Sequence, residues 1–584
     1  LDTVLTGSSS SILNRTLMES GLGSGLAPAG FDTNFSESIF GAGLNDTDEE
    51  DAPKIEKLIF DVLHKVCHEG LEESEIHAAI HEMEFSSREI KGDHGVPFGL
   101  SLSFRGLKMM LEGGDFELGL KIDQYLGQLR EDALKPGFFK ELIEKYLLNN
   151  SHRITMILAP NPGGMEQQET DRRTKLDTYR NSLSEDEVQK IVQQGKDLLH
   201  HQSKDEDTSC LPQIKIEEIS VQPDTITQEE VNVSGTQVFK HSLPTNGINY
   251  ASFGFHKEIT DVVPLNGIKY VGLLTELGAG DSDYIETGRK IRELTGGLSI
   301  GASVDRNIKT GKNRIDLKLS GRCLPRNTNA MLQLMGDIAL KPDLENKNRI
   351  LEIINLQKAY AAPMASYSGH QMASLAVGRW FCPMRWISHN VSGMEGIRRL
   401  LKLSPADLDK VTSGISSFLG DMCNLERVKV GITGDDKLNT QMLGELKTFT
   451  SRLTSGSNGS PKLVRIPMDE TPEMEAWVLS TDVSYVAKAF PAVHTEHPDA
   501  PTLTVLSALM ERPMYELIRA QGGAYGAFSQ FNSTSGLFVM MTYRDPHTAQ
   551  SLDAFDKVIA GMAKGDFNRE KIDHAIINVI SHMD

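Results

Sequence analysis

Residues 514–545, MYELIRAQGGAYGAFSQFNSTSGLFVMMTYRD, pass from a helix-favouring run through two glycines into an extended stretch, a turn and an apolar strand. The same plan recurs at 11–44, SILNRTLMESGLGSGLAPAGFDTNFSESIFGAGL, and at 284–321, YIETGRKIRELTGGLSIGASVDRNIKTGKNRIDLKLSG. In each, apolar residues return in the closing strand: Ile39 and Phe40 through Leu44, Ile315 to Leu319, and Leu537 to Tyr543. Recurrence of one supersecondary plan marks duplicated units. An α+β protein built from several copies of one domain is therefore predicted.

At 584 residues the chain exceeds what one hydrophobic core supports, so about three or four domains are expected. No apolar run approaches the roughly 18 to 20 residues that a membrane span needs, which excludes a helical membrane protein. A net charge of -20 leaves no basic face to displace counterions from phosphates and excludes nucleic acid as a partner. Cationic partners suit it better. Cys67, Cys210, Cys323, Cys382 and Cys423 lie far apart without a C-x-x-C pair, so neither a disulfide framework nor a thiolate zinc site is indicated and a reducing compartment fits. The chain starts at Leu1 without a leader and stops within a helical run, and so reads as a piece of a longer protein.

DAPKIEKLIFDVLHKVCHEG (51–70) predicts an amphipathic helix, with Asp51 as N-cap, Pro53 in the first turn, Ile55, Leu58, Ile59, Val62, Leu63 and Val66 on one face, and Gly70 as the stop. HRITMILAP (152–160) and ERVKVGITGDD (426–436) read as strands, each preceded by a helix and closing an α/β unit. Residues 165–207 read as a helical hairpin, with Ser184 and Glu187 at capping-box spacing and Val188, Ile191, Val192, Leu198 and Leu199 as a narrow stripe. TSGSNGSPK (454–462) has the composition of a domain boundary.

Three chemical motifs fail on context. GLSIG satisfies G-x-S-x-G around Ser299, but a nucleophile elbow needs a strand entering and a helix leaving, and here the order is reversed. GLGSGL (21–26) follows a helix and carries leucine at the last glycine position of a dinucleotide loop. His77 and His81 form H-x-x-x-H, yet Glu82 lies outside the pair instead of between them, and no third ligand has recognisable spacing. They read as surface or boundary histidines, and no complete catalytic metal site is found.

TSCLPQIKIEEIS (208–220), GLGSGLAPAGFDTNFSESIFGAGL and above all ELIRAQGGAYGAFSQFNSTSGLFVMMTYRDP (516–546) resemble the presequence proteases, organellar oligopeptidases of the pitrilysin group of inverted-motif zinc peptidases. The resemblance runs from Leu1 to Asp584. It implies pitrilysin/LuxS-like α/β sandwich domains in two halves joined by a helical hairpin and closing around a chamber. It further implies the end of a second domain at 1–162, the hairpin at 163–210, a zinc-free third domain at 211–457, and part of a fourth at 458–584. The H-x-x-E-H motif of the family's first domain is absent from this chain. Its counterpart YVGLLTELGAGDSDY (270–284) keeps Glu276 without a histidine.

By the same resemblance, Arg519, Gly522, Gly523 and Tyr525 form a substrate-binding loop, and Tyr525 is the catalytic-support residue that the C-terminal half contributes across the chamber. The resemblance implies zinc in the intact enzyme with no ligand from this chain, unfolded peptides such as presequences as partners, a monomer, and the mitochondrial matrix. The chain alone is expected to be inactive. The alternative is a noncatalytic structural or peptide-binding subunit akin to those of processing-peptidase complexes.

Overall fold

A computed structural model describes residues 1–582 except 8–10, 28–29, 34, 36, 92–95, 204–209, 211, 213, 221, 223–224 and 566. Parts of the quoted stretches 11–44 and 208–220, and the end of the 165–207 hairpin, lie outside the described residues.

The centre is a six-stranded sheet in the order Glu229–Val233, Thr236–Ser242, Val428–Gly434, Asn249–Ile259, Asn313–Cys323, Leu298–Arg306. All neighbours are antiparallel except Val428–Gly434, which runs parallel to Thr236–Ser242 and is reached through a helical crossover. Strict alternation explains the layering. Ala251, Phe253 and Phe255 on one strand and Ile315, Leu317 and Leu319 on the next face a helical layer that supplies Met331, Met335, Ile415 and Phe418. Phe253 meets Phe449 with ring centroids 4.2 Å apart. Each such fully buried side chain contributes about 1.5–3 kcal/mol. The other face carries Tyr250, Ser252, Ser299, Lys318, Ser320 and Thr433, which line an open cleft of 470 Å³.

The C-terminal unit is a three-stranded antiparallel sheet in the order Ala487–Pro491, Leu537–Tyr543, Gly526–Asn532. Its central strand is a nearly unbroken apolar run because both of its faces are covered. Phe538 and Met540 meet Met510, Met514 and Phe555 on one side. On the other, Leu537 and Val539 meet Cys382 and Met384. The helices Gly369–Gly378 and Pro383–Val391 thus serve both sheets. The 454–462 stretch is held, not loose. The Asn458 N–H donates to the Gly420 carbonyl at 2.9 Å, the Ser457 hydroxyl reaches Asp421 at 3.0 Å, and Val464–Arg465 pairs with Val262–Val263 on the central unit.

The recurring plan is present in all three quoted segments. The helix Ile12–Glu19 leads to two short antiparallel pairs, Gly25–Leu26 with Leu44–Asn45 and Gly30–Asp32 with Ile39–Gly41. The helix Tyr284–Leu294 leads to a long hairpin, and the helix Ala500–Met514 to the hairpin of the C-terminal unit. The helix Ala52–Glu69 buries Ile55, Val62, Leu63 and Val66 and stops at Gly70, whose φ of 81° suits glycine. Asp51 takes the N-cap position without a capping hydrogen bond, its carboxylate pairing instead with Lys54 at 2.5 Å.

One strand expectation needs correction. HRITMILAP forms no strand. Ile154 and Leu158 are 83% and 87% exposed, because no described strand lies beside the segment to complete a ladder. The hairpin forms as two 19-residue helices, Gly164–Ser182 and Glu185–Ser203, and Glu187 accepts from the Ser184 N–H at 2.8 Å as the capping box requires. Its stripe of Ile191, Val192, Leu198 and Leu199 is nevertheless exposed, so the stripe covers no core among the described residues.

Candidate functional site

The helix Ala500–Met514 continues into one π-helical turn, Tyr515–Ala520, that carries Arg519. Such turns recur at functional sites because the extra residue re-aims side chains. The Gly523 N–H donates to the Arg519 carbonyl at 2.9 Å and the Ala524 N–H to that of Ile518 at 3.1 Å, closing the helix end. The two glycines are needed for different reasons. A Cβ on Gly522 would stand 2.6 Å from the Ile518 carbonyl oxygen, whereas Gly523 has φ of 78° with open space around it.

This reversal delivers Tyr525 to the mouth of an open cleft of 590 Å³ lined by Tyr515, Arg519, Gly523, Ala524, Tyr525 and Arg544. Tyr525 is 65% exposed. The Arg519 guanidinium carbon lies 5.7 Å from the Tyr525 ring centroid and 5.2 Å from that of Tyr515. The Tyr525 backbone N–H is anchored on the Arg544 carbonyl at 3.2 Å. Its ring packs edge-on against Tyr543 at 5.7 Å, and Tyr543 is in turn backed by His370 of the central unit at 4.9 Å. The phenol is thus held at its base while the ring stays largely exposed. Arg519, Gly522, Gly523 and Tyr525 are brought together; Tyr515, Tyr543, Arg544 and His370 complete the surroundings, and sequence reasoning missed all four. Tyr543 and Arg544 close an apolar strand and so sit at its exposed end, but nothing in the sequence brings His370 beside them.

The central copy of the repeat shows what the fold itself requires. Aligning Gly296-Gly297 with Gly522-Gly523 puts Glu293 where Arg519 stands and Ser299 where Tyr525 stands. Ser299 lies opposite Ser320, and Tyr525 opposite Arg544. Both copies keep the glycines that make the turn; only the C-terminal copy carries two guanidiniums and a phenol. The helix-to-strand order around Ser299 matches the expectation that it is no hydrolase elbow.

His81 is buried at the boundary between the N-terminal helices and the central unit, its Nδ1 2.9 Å from the Arg292 carbonyl, while His77 is paired with Glu73 at 3.3 Å on the surface. Glu276 ends a short helix, where Arg349 donates to its backbone carbonyl at 3.3 Å. Among the described residues no group of three or more His, Cys, Asp or Glu side chains could hold a metal ion. The described lining of the cleft, with its guanidiniums and phenols, offers hydrogen-bond donors in place of zinc ligands. No helix among them is long and apolar enough to cross a membrane.

Three family models match the chain. One described as the peptidase M16 inactive domain covers residues 1–83, one described as associated with the C subfamily of the M16 peptidases covers 158–403, and one described as the PreP C-terminal domain covers 474–584. Among curated relatives, presequence protease 1, chloroplastic/mitochondrial, of Arabidopsis thaliana is 27% identical over 100% of this chain and 55% of its own length. Protein HypA of Clostridium perfringens is 26% identical over 100% of this chain and 60% of its own length. The mitochondrial presequence protease of Mus musculus is 26% identical over 100% and 59% respectively. The chain spans less than two thirds of the length of these relatives, and its match to them is end to end. The Arg519 to Tyr525 loop falls inside the PreP C-terminal match, and the chain is presequence-protease-like, similar along its whole length to M16 peptidases.

Proposed function

We propose that the chain is the substrate-clamping half of an ATP-independent metalloendopeptidase that degrades presequences and other unfolded peptides inside a closed chamber in the mitochondrial matrix. The observation that carries this reading is the pairing of Arg519 with Tyr525 on a glycine-built loop, at a position where the central copy of the repeat has Glu293 and Ser299. Tyr525 presents a phenol donor whose best acceptor is the oxygen that gains charge as a peptide carbonyl becomes tetrahedral, so it favours the transition state over the ground state. Arg519 holds a neighbouring carbonyl or carboxylate through its fork of donors. On this reading the zinc is held by sequence that the relatives have beyond the share this chain spans, and the domains divide at 162, 210 and 457. The molecule closes as a monomer around its peptide.

Two measurements test it. A labelled, arginine-rich presequence peptide binds the 584-residue chain, and added zinc brings no chelator-sensitive cleavage; such cleavage would show that the metal site is here after all. Tyr525→Phe, placed at the matching position of an intact relative, lowers turnover about a hundredfold with the fold unchanged. Unimpaired turnover would remove Tyr525 from the chemistry. The alternative, a noncatalytic peptide-binding subunit, predicts the same binding and no turnover effect from the equivalent tyrosine.

A further inference from the structure

We infer that Arg544 is a second recognition residue of this cleft and that, with Arg519, it receives a carboxylate of the bound peptide; this rests on reading the cleft as a peptide site. Three observations converge. First, both guanidiniums line the one cleft, and among the described residues neither has a carboxylate within ion-pair distance, in a chain with 80 acidic against 60 basic residues. Glu516 is one turn from Arg519 but is taken by Arg512 at 2.6 Å. The Arg544 side chain lies over an aromatic face, its guanidinium carbon 5.5 Å from the Tyr543 ring centroid. Stacked on rings with their donors unspent, the two forks suit a planar carboxylate.

Second, Arg544 has φ of 48°, a left-handed conformation that costs a non-glycine residue energy and persists only where neighbours dictate it. They do so here. Asp545 is buried, and its carboxylate accepts from the Ser551 hydroxyl at 2.6 Å and the His547 N–H at 2.9 Å. Its backbone exchanges hydrogen bonds with Ser484, at 2.9 Å from the Asp545 N–H and 2.7 Å to the Asp545 carbonyl. Glycine or asparagine would fill this backbone position more easily, so an arginine there points to its side chain. Third, the central copy of the repeat has Ser320 at the cross-strand position of Arg544, so the hairpin does not need a cation there.

The carboxylate has two possible sources, the free C-terminus of the peptide or an acidic side chain, and the experiment separates them. One cationic, fluorescently labelled peptide is titrated with the 584-residue chain in three forms: ending in a carboxylate, ending in an amide, and ending in an amide with one internal glutamate. The chain is expected to bind one of the two carboxylate-bearing forms about tenfold more tightly than the plain amide. Whichever form gains names the source. Arg544→Gln should abolish the gain, read as the ratio of carboxylate-form to amide-form affinity within the variant itself; Arg544→Asn, suited to the left-handed backbone, repeats the test should the glutamine variant lose its fold by circular dichroism. Equal affinity for all three forms, or a gain that survives both substitutions, overturns the inference while leaving the peptide-site reading intact. Binding of none of the three overturns both.

Discussion

Gly522 and Gly523 adjoin in sequence but fail differently when substituted. Alanine at Gly522 drives a methyl to 2.6 Å from a backbone oxygen, which only movement of the helix end relieves. Alanine at Gly523 meets nothing closer than 3.8 Å and bears only the left-handed cost of about 1–2 kcal/mol. Urea unfolding should therefore show Gly522→Ala as the more destabilising change, and peptide binding should fall for it first because Tyr525 moves with the loop. The reverse order would mean that the loop relaxes around Gly522. The glycine pair, Arg519 and Tyr525 were legible because a glycine pair at a helix end has a conformational meaning and the motif has a family. Arg544 was not, since no residue type announces an arginine at positive φ; that is imposed by Asp545, Ser551 and Ser484 from three separate places in the chain.

At the scale of elements, periodicity succeeded wherever the partner face was built by neighbouring sequence. The helix Ala52–Glu69 and the strand Val428–Gly434 both stand where their patterns put them. HRITMILAP carries an equally good strand pattern but lacks a ladder partner, which no local pattern can report. The opposite case is the run DETPEMEAWVL at 469–479, which offers no helix or strand periodicity and yet packs against the helical layer as a strap. Arg379 pairs with Glu475, and Trp477 packs with Met372, Met394 and Ile397 and stands edge-on to His389 at 6.0 Å. His389 is only 2% exposed, its Nδ1 without a hydrogen-bond partner among the described residues, and burial, aided by the Arg379 guanidinium, lowers its pKa to about 4. The unfolded chain then takes up the proton near pH 6.5 while the folded chain does not, so stability is full above that pH and falls as pH drops from 6.5 toward 4. The limb is worth on the order of 3 kcal/mol. Urea midpoints between pH 7 and 4.5 should shrink in the wild type and flatten in His389→Leu; an unchanged slope would mean that the imidazole titrates normally.

Across the whole molecule, the N-terminal helices are tied to the central unit by a seam of ion pairs around one apolar cluster. Phe85 fits against Gly296, where a Cβ would come within 2.0 Å of its ring, and Arg292 bonds Glu75 at 2.6 Å. The hub is Glu84, nearly buried between Arg130 and Arg88 of its own unit, at 2.6 and 3.1 Å, and Arg326 of the central one at 2.8 Å. Burial raises its pKa but the three guanidiniums, Arg326 foremost, more than reverse this and hold it below the ordinary carboxylate value. Its stabilising effect is therefore present above about pH 4.5 and is lost as pH falls through the lowered value. Removing the charge strands three arginines that remain partly in water, so Glu84→Gln should cost about 2 kcal/mol, less than the 3–5 typical of a fully buried pair. The cost should appear as a loss of coupling between units. All of the tryptophans, Trp380, Trp386 and Trp477, lie after residue 379, so their fluorescence reports the units beyond the N-terminal helices while far-ultraviolet circular dichroism reports every helix. In the wild type at pH 7 the two signals should unfold together in urea; in Glu84→Gln, the circular dichroism transition should begin at lower urea than the fluorescence transition, and raised salt should widen the gap by screening the remaining pairs. Coincident transitions in the variant would show that the seam is held by Phe85 and its slot, with Glu84 a bystander.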